Sequence, residues 1–281
     1  MPTLRQFQID AFTRLPFHGN PAAVVPLEEW LPDETMQAIA SENNLSETAF
    51  ICPLNGSDSG GADFHLRWFT PAIEVDLCGH ATVATAHALF SELGWDRDSV
   101  TFRSRSGPLR AARTGDGAIE LDFPEMPLTT EGITEELKAA VADALGRAPT
   151  ELYDSMDLIC VFDNKRDVHE LRPDFGKLAA LDHVRAVGVT APGAGHDFVA
   201  RLFAPQSGVN EDPVTGSLYT MLAPYWANRL GKRELTAHQV SHRPGEVRCR
   251  LDDAAPGRVF IAGHAVTTIR SELLLPEPVH A

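Results

Sequence analysis

The chain has 281 residues, 43% of them hydrophobic and 22% charged, with 24 Lys and Arg against 39 Asp and Glu and a formal charge of −15. This is globular composition, and the length suits two domains or one large one, able to bury a core without metals or disulfides. So acidic a chain lacks the clustered cations that a phosphate backbone or an anionic membrane surface attracts, which argues against nucleic acid and membrane as partners.

In chain order, Met1-Pro2-Thr3-Leu4-Arg5-Gln6-Phe7 lacks the charged-then-apolar layout of a signal peptide. No apolar run approaches the roughly 20 residues that span a bilayer. Residues 4–12 alternate as a strand, Gly19-Asn20-Pro21 reads as a turn, and 22–25 as a second strand. A helix is predicted over 32–42 and a strand over 48–52; Asn55 to Gly61 reads as a flexible loop. Farther on, 117–123, 158–162 and 257–263 read as strands, 134–145 and 173–181 as helices, and 191–195 as a second flexible loop. Cys52, Cys78, Cys160 and Cys249 are widely separated and form no CxxC pair. The expectation is a cytoplasmic protein from a reducing compartment.

The chain also carries a duplication. Phe64-His65-Leu66-Arg67-Trp68-Phe69-Thr70-Pro71 and Phe198-Val199-Ala200-Arg201-Leu202-Phe203-Ala204-Pro205 share the frame F-x-x-R-x-F-x-P. After three extra residues in the second copy, Gly79 matches Gly216, His80 matches Ser217 and Gly94 matches Gly231. Each copy reads as strand, loop, tight Gly turn and a helix of about four turns closed by Gly. Two similar α+β domains with a cleft between them follow: residues 1–125, with 267–281 returning to them, and 126–266.

Both helix starts, Cys78-Gly79-His80 and Thr215-Gly216-Ser217, bring unpaired N–H groups and the positive end of a helix dipole to a loop. They would hold a small carboxylate without lysine, although each alone also reads as an ordinary cap. Glu47 stands at the mouth of an apolar strand, where desolvation would tune it for proton transfer; from spacing alone, a solvated loop carboxylate is the simpler reading. Asp212 suits orienting His80, binding a substrate amino group or capping the next helix. His80 suits an acid, a base or a donor, whereas His87 reads as core or surface. No HxH or HExxH spacing supports a metal site. Cys78 maps onto Thr215, too weak an acid to act as a second thiol, so a symmetric two-cysteine racemase is disfavoured and a buried structural cysteine preferred.

Phe17-His18-Gly19-Asn20-Pro21-Ala22-Ala23-Val24, Asn44-Leu45-Ser46-Glu47-Thr48-Ala49-Phe50, Phe69-Thr70-Pro71, Gly79-His80-Ala81-Thr82, Arg105-Ser106-Gly107-Pro108-Leu109 and Glu211-Asp212-Pro213-Val214-Thr215-Gly216-Ser217 together resemble the PhzF-like isomerase family, nearly end to end. The resemblance implies the diaminopimelate epimerase fold: two pseudo-symmetric α+β domains, each a curved, mostly antiparallel sheet around a central helix, with the active site in the cleft. It makes Glu47 the proton-shuttling acid/base, with His80, Asp212 and Ser217 positioning substrate. Asn20, Cys78, Gly79, Thr215, Gly216, Ser217 and Tyr219 complete the implied substrate-binding set. The archetype moves a proton between ring carbons of 2,3-dihydro-3-hydroxyanthranilate without metal or organic cofactor. The resemblance thus implies a cofactor-independent isomerase of a small unsaturated amino or carboxylic acid in secondary-metabolite biosynthesis, working as a homodimer. An epimerase using Cys78 and a non-catalytic binder of small ligands are the alternatives. Leu218-Tyr219-Thr220 and His242-Arg243-Pro244-Gly245-Glu246 depart from the family pattern; Leu218 and Tyr219 would narrow the cleft and favour a substrate other than the phenazine precursor.

Overall fold

The computed structural model describes residues 3–54 and 60–275, so the 55–61 loop falls largely outside the described residues. The chain divides into two compact units, Met1–Asp122 with Ala262–Ala281, and Phe123–Ile261.

The first unit holds strands β1 (Thr3–Ala11), β2 (Asn20–Pro26), β3 (Glu47–Pro53), β4 (Phe64–Phe69), β5 (Glu74–Val75), β6 (Ser99–Ser104), β7 (Gly107–Arg113), β8 (Ile119–Pro124) and β17 (Ala265–Leu274), with helices α1 (Asp33–Asn43) and α2 (Gly79–Ser91). The chain passes to the second unit within β8. Strand order is β17-β1-β2-β3-β4-β6-β7-β8, antiparallel except for β2–β3 and β4–β6. Helix α2 packs on β1, β2, β3, β7 and β17. Nine of its residues from His80 to Leu89 are buried, as expected of a helix apolar all round. Its alanines let the strands approach closely, and its buried hydroxyls bond back one turn, Thr82 Oγ1 to Cys78 O (2.6 Å) and Thr85 Oγ1 to Ala81 O (2.7 Å).

The second unit holds α3 (Glu135–Leu145), β9 (Glu151–Tyr153), β10 (Leu158–Val161), α4 (Lys165–Glu170), α5 (Phe175–Ala179), β11 (Val187–Pro192), β12 (Phe198–Ala204), β13 (Val209–Asp212), α6 (Leu218–Leu230), β14 (Glu234–Gln239) and β15 (Gly245–Leu251); β16 (Arg258–Gly263) leads back to the first unit. Strand order is β9-β10-β11-β12-β14-β15, with parallel pairs β10–β11 and β12–β14. Leu145, Leu158, Phe162, Val187, Val189 and Phe203 belong to its core. Helix α6 contains Pro224, which lacks the N–H that would serve Thr220 O; the Met126 N–H serves it instead at 3.1 Å.

The two units repeat one another in register. Phe69 pairs with Thr48, and its counterpart Phe203 with Val187; Trp68 pairs with Val75, and its counterpart Leu202 with Asp212. The shared arginine has a shared partner. Arg67 makes a two-pronged ion pair with Glu74 (2.7 and 2.7 Å), and Arg201 makes the same pair with Glu211 (2.7 and 3.1 Å). Each guanidinium also lies over the phenylalanine two residues on, at 5.1 Å for Phe69 and 4.8 Å for Phe203.

Several local expectations shift. Asn20 is the first residue of β2 rather than part of the turn, because it pairs with Ala11. Residues 191 and 192 finish β11 against Val199 and Phe198, so the loop begins at Gly193. Helix α6 starts at Leu218, two residues after the matched Gly216, because the N–H groups of Leu218, Tyr219 and Thr220 first bond three residues back. Helix α2 stops at Ser91, and Gly94 takes its left-handed φ of 73° only after it. Helix α4 is an addition: Asn164 caps it by accepting the Asp167 N–H at 3.0 Å. Among the described residues no helix is long and apolar enough to cross a membrane.

Candidate active site

Three element starts converge in the first unit: β2 begins with Asn20, β3 with Glu47 and α2 with Gly79, preceded by Cys78. The parallel pairing of β2 and β3, with Ala22 opposite Glu47, sets both strand starts at one end of the sheet. Local chemistry fixes each position. Gly19 has φ +61°, and a Cβ there would stand 2.1 Å from the Ala11 carbonyl oxygen, so only glycine turns the chain into Asn20. Phe17, exposed and also left-handed at φ 68°, donates its N–H to the buried Asp10 carboxylate at 2.7 Å. Asn43 ends α1 and bridges Gln6 and Thr48, and Asn44 takes the left-handed cap, so the Asn-Asn of the motif delivers the chain to Glu47.

Around this point the side chains meet. Glu47 Oε2 lies 2.9 Å from His80 Nε2. His80 Nδ1 lies 3.2 Å from Asn20 Nδ2 and 3.5 Å from Cys78 Sγ, and Ser46 Oγ donates to Asn20 Oδ1 at 3.2 Å. His80 is 5% exposed and Asn20 fully buried. The Glu47–His80 contact is electrostatic more than a well-aimed hydrogen bond, since Oε2 is buried without an aligned donor.

Burial disfavours the Glu47 carboxylate, but the charge and hydrogen bonding of His80, helped by Cys78, outweigh it and hold Glu47 below its usual range. Burial likewise disfavours the His80 imidazolium; the Cys78 sulfur and the Glu47 carboxylate prevail and raise His80 well above its ordinary value. Burial and the Glu47 charge push the Cys78 thiol up to about 11, so it is a thiol at neutral pH. All four cysteines are free and buried, and burial raises Cys52, Cys160 and Cys249 as well. Glu47, Cys78 and His80 stand close enough to hold a metal ion, yet a thiol that keeps its proton is a poor ligand. His87 is half-buried on α2, 3.1 Å from Thr267 Oγ1.

The second unit gathers the other sequence-picked residues around one that sequence reasoning missed, Gln239, which is fully buried. Its Oε1 accepts from the Thr215 N–H (3.0 Å) and the Tyr219 hydroxyl (3.1 Å); its Nε2 donates to Asp212 O (2.9 Å) and Thr215 Oγ1 (3.3 Å). The Thr215 hydroxyl donates to the Asp212 carboxylate. Asp212 therefore anchors the Thr215 loop rather than capping α6, whose N-cap is Ser217 without a side-chain bond. Gly216 and Ser217 form the turn entering the helix. Tyr219 is fully buried, its ring 6.1 Å from Phe198, and it braces this loop. Gln239 lies 24 residues from Thr215 in strand β14, with no motif around it to signal the role.

The model of the phenazine biosynthesis-like proteins (PhzC–PhzF) matches residues 9–271. An uncharacterized isomerase of Pseudomonas aeruginosa is 47% identical over 273 residues, covering 96% of this chain and 98% of its own. The crystal structure of a PhzF-family phenazine biosynthesis protein from Enterococcus faecalis matches with a TM-score of 0.90 at 42% identity, over 98% of this chain and 100% of that one. A hydroxyproline epimerase from Agrobacterium vitis shares the fold, with a TM-score of 0.59 at 10% identity over 99% of this chain and 94% of that one. The fold is α+β of the diaminopimelate epimerase type.

Proposed function

The chain belongs to the phenazine biosynthesis-like (PhzC–PhzF) family and is an isomerase; from that premise we propose that it moves a proton within a small unsaturated amino or carboxylic acid, with Glu47 as general acid/base. The observation that supports this reading is a half-buried, ionised Glu47 carboxylate whose buried Oε2 lacks an aligned donor and lies 2.9 Å from His80. Held ionised, with that oxygen lacking an aligned donor, the carboxylate is in the form that accepts a proton at neutral pH.

In the proposed step Glu47 takes a proton from carbon beside a conjugated system. The C–H electron pair moves into that system, the double bond migrates, and the Glu47 carboxyl returns the proton to another carbon on the same face. Substrate and product are isomers, so no oxidant, reductant or co-reactant enters. His80 holds Glu47 in place, and the N–H groups at the start of α2 offer a seat for the substrate carboxylate. Asp212, Thr215, Gly216 and Ser217 are proposed as substrate-binding residues of the second unit. A secondary-metabolite substrate, a cytoplasmic location and a homodimer belong to the same proposal.

The test is a panel of small unsaturated amino and carboxylic acids incubated in deuterated water and followed by proton NMR. Double-bond migration by the wild type, lowered about 10²–10⁴-fold in Glu47→Gln, is the expected outcome. Wild-type turnover by Glu47→Gln would place the base elsewhere.

A second reading has one observation in its favour: Cys78 Sγ stands 3.5 Å from His80 Nδ1, beside Glu47. Under that reading the enzyme epimerises an amino acid through Cys78. Deuterium would then enter only at the α carbon, and Cys78→Ala would abolish it. The raised Cys78 thiol and the Thr215 in its repeat position weigh against this.

A further inference from the structure

Two groups stand near His80 Nδ1: the Asn20 amide nitrogen, a donor, at 3.2 Å, and farther off, at 3.5 Å, Cys78 Sγ, whose single hydrogen also has the Glu47 carboxylate within reach. Asn20 is oriented from behind, because Ser46 Oγ donates to its Oδ1 at 3.2 Å, and an oxygen that accepts there leaves the NH₂ facing the ring. A ring nitrogen whose nearer neighbour is an amide donor keeps its lone pair, and the Glu47 carboxylate 2.9 Å from Nε2 accepts, so the single proton of neutral imidazole goes to Nε2, on the Glu47 side. We propose that Asn20 is a positioning residue that fixes His80 as the Nε2–H tautomer, through the line Ser46 Oγ, Asn20 amide, His80 ring and Glu47 carboxylate.

Two consequences follow. A second proton on Nδ1 would point at the Asn20 N–H, so His80 becomes imidazolium only when the amide turns over, presenting Oδ1 to the ring and its N–H to Ser46 Oγ. The titratable groups that act on His80 are Glu47 from β3 and Cys78 at the head of its own helix. The β2 strand contributes the neutral amide, which therefore opposes the pull of Glu47. Second, with Nε2 already protonated, His80 has no lone pair facing Glu47. A proton that Glu47 takes stays on Glu47, available for return to the same substrate molecule.

The catalytic part rests on Glu47 being the base; the tautomer does not, and the two are tested apart. The full chain with ¹⁵N-labelled histidine is titrated by NMR, and the His80 resonances are assigned by their loss in His80→Asn. At the alkaline end of the titration the wild type is expected to show Nδ1 bare and Nε2 protonated. In Asn20→Asp the carboxylate accepts from the ring, so Nδ1 becomes protonated and the His80 midpoint rises by about one pH unit or more. In Ser46→Ala, a milder change, the two tautomers mix. Wild-type His80 with its proton on Nδ1 overturns the proposal, even where a variant fails to fold. So does an Asn20→Asp protein whose His80 midpoint and tautomer match the wild type. If the tautomer is as expected but Glu47→Gln keeps full turnover, the positioning stands and the assignment of Glu47 falls.

Discussion

The same place in the two units carries opposite chemistry. In the first unit the start of β3 bears Glu47, and the start of α2 bears Cys78 and His80. In the second unit the matching register puts the fully buried Ala186 where Glu47 stands, and Thr215 and Ser217 where Cys78 and His80 stand. Around these exchanges the frame is conserved within the chain, down to the arginine, the phenylalanine under it and the glutamate that grips it. A strut has a single good solution and survives in both copies. A charged pair needs only one copy, and the second holds instead a loop tied together by Gln239, Thr215 and Asp212.

Glu47→Gln breaks the contrast most severely, with an expected fall of about 10³-fold in proton transfer and little change in unfolding free energy. Next come the struts. Arg201→Met leaves the half-buried Glu211 without its partner and takes a donor from the carbonyls of Val168 (3.0 Å) and Leu171 (3.1 Å), of which only Leu171 keeps another, Arg172 Nη1 at 2.8 Å. Urea unfolding should show a loss of about 3–5 kcal/mol. Arg67→Met should cost less, about 2 kcal/mol, because Glu74 keeps Arg105 at 2.6 Å. Equal losses would mean that the two struts are interchangeable after all.

A subtler probe is His80→Asn. Glu47 sits below its usual range because His80 outweighs burial. A carboxylate held down in the native state stabilises the fold above its unfolded pKa, and that contribution disappears as pH falls through the native value. Without His80 burial prevails, Glu47 rises, and the acid limb of the pH–rate profile should move to higher pH; an unmoved limb would detach Glu47 from His80. Smallest is Tyr219→Phe beside the Thr215 loop. It removes one donor from Gln239 Oε1 while the Thr215 N–H remains, at a cost of about 1 kcal/mol in thermal unfolding.

Much of this was legible from the chain alone. The F-x-x-R-x-F-x-P frame and the paired glycines predict the duplication, and the Asn-Leu-Ser-Glu and Gly-His motifs select residues that do meet in the first unit. What the sequence hides depends on strand partners. Glu74 and Glu211 sit 137 residues apart in a region with no other shared letters, and only the β4–β5 and β12–β13 pairings reveal them as equivalents. Gln239 reaches Thr215 because β14 runs parallel to β12, a long-range pairing that no local spacing encodes. The late start of α6 escaped because a 3₁₀ turn and an α-helix share the same opening residues.

The buried thiols divide evenly, Cys52 and Cys78 in the first unit and Cys160 and Cys249 in the second. In the native protein each is shielded and protonated, so a thiol reagent finds nothing to label until part of the chain opens. Each unit thus carries two silent reporters of its own opening. Pulsed alkylation followed by peptide mapping would time the unit that carries Glu47 against the one that carries Gln239.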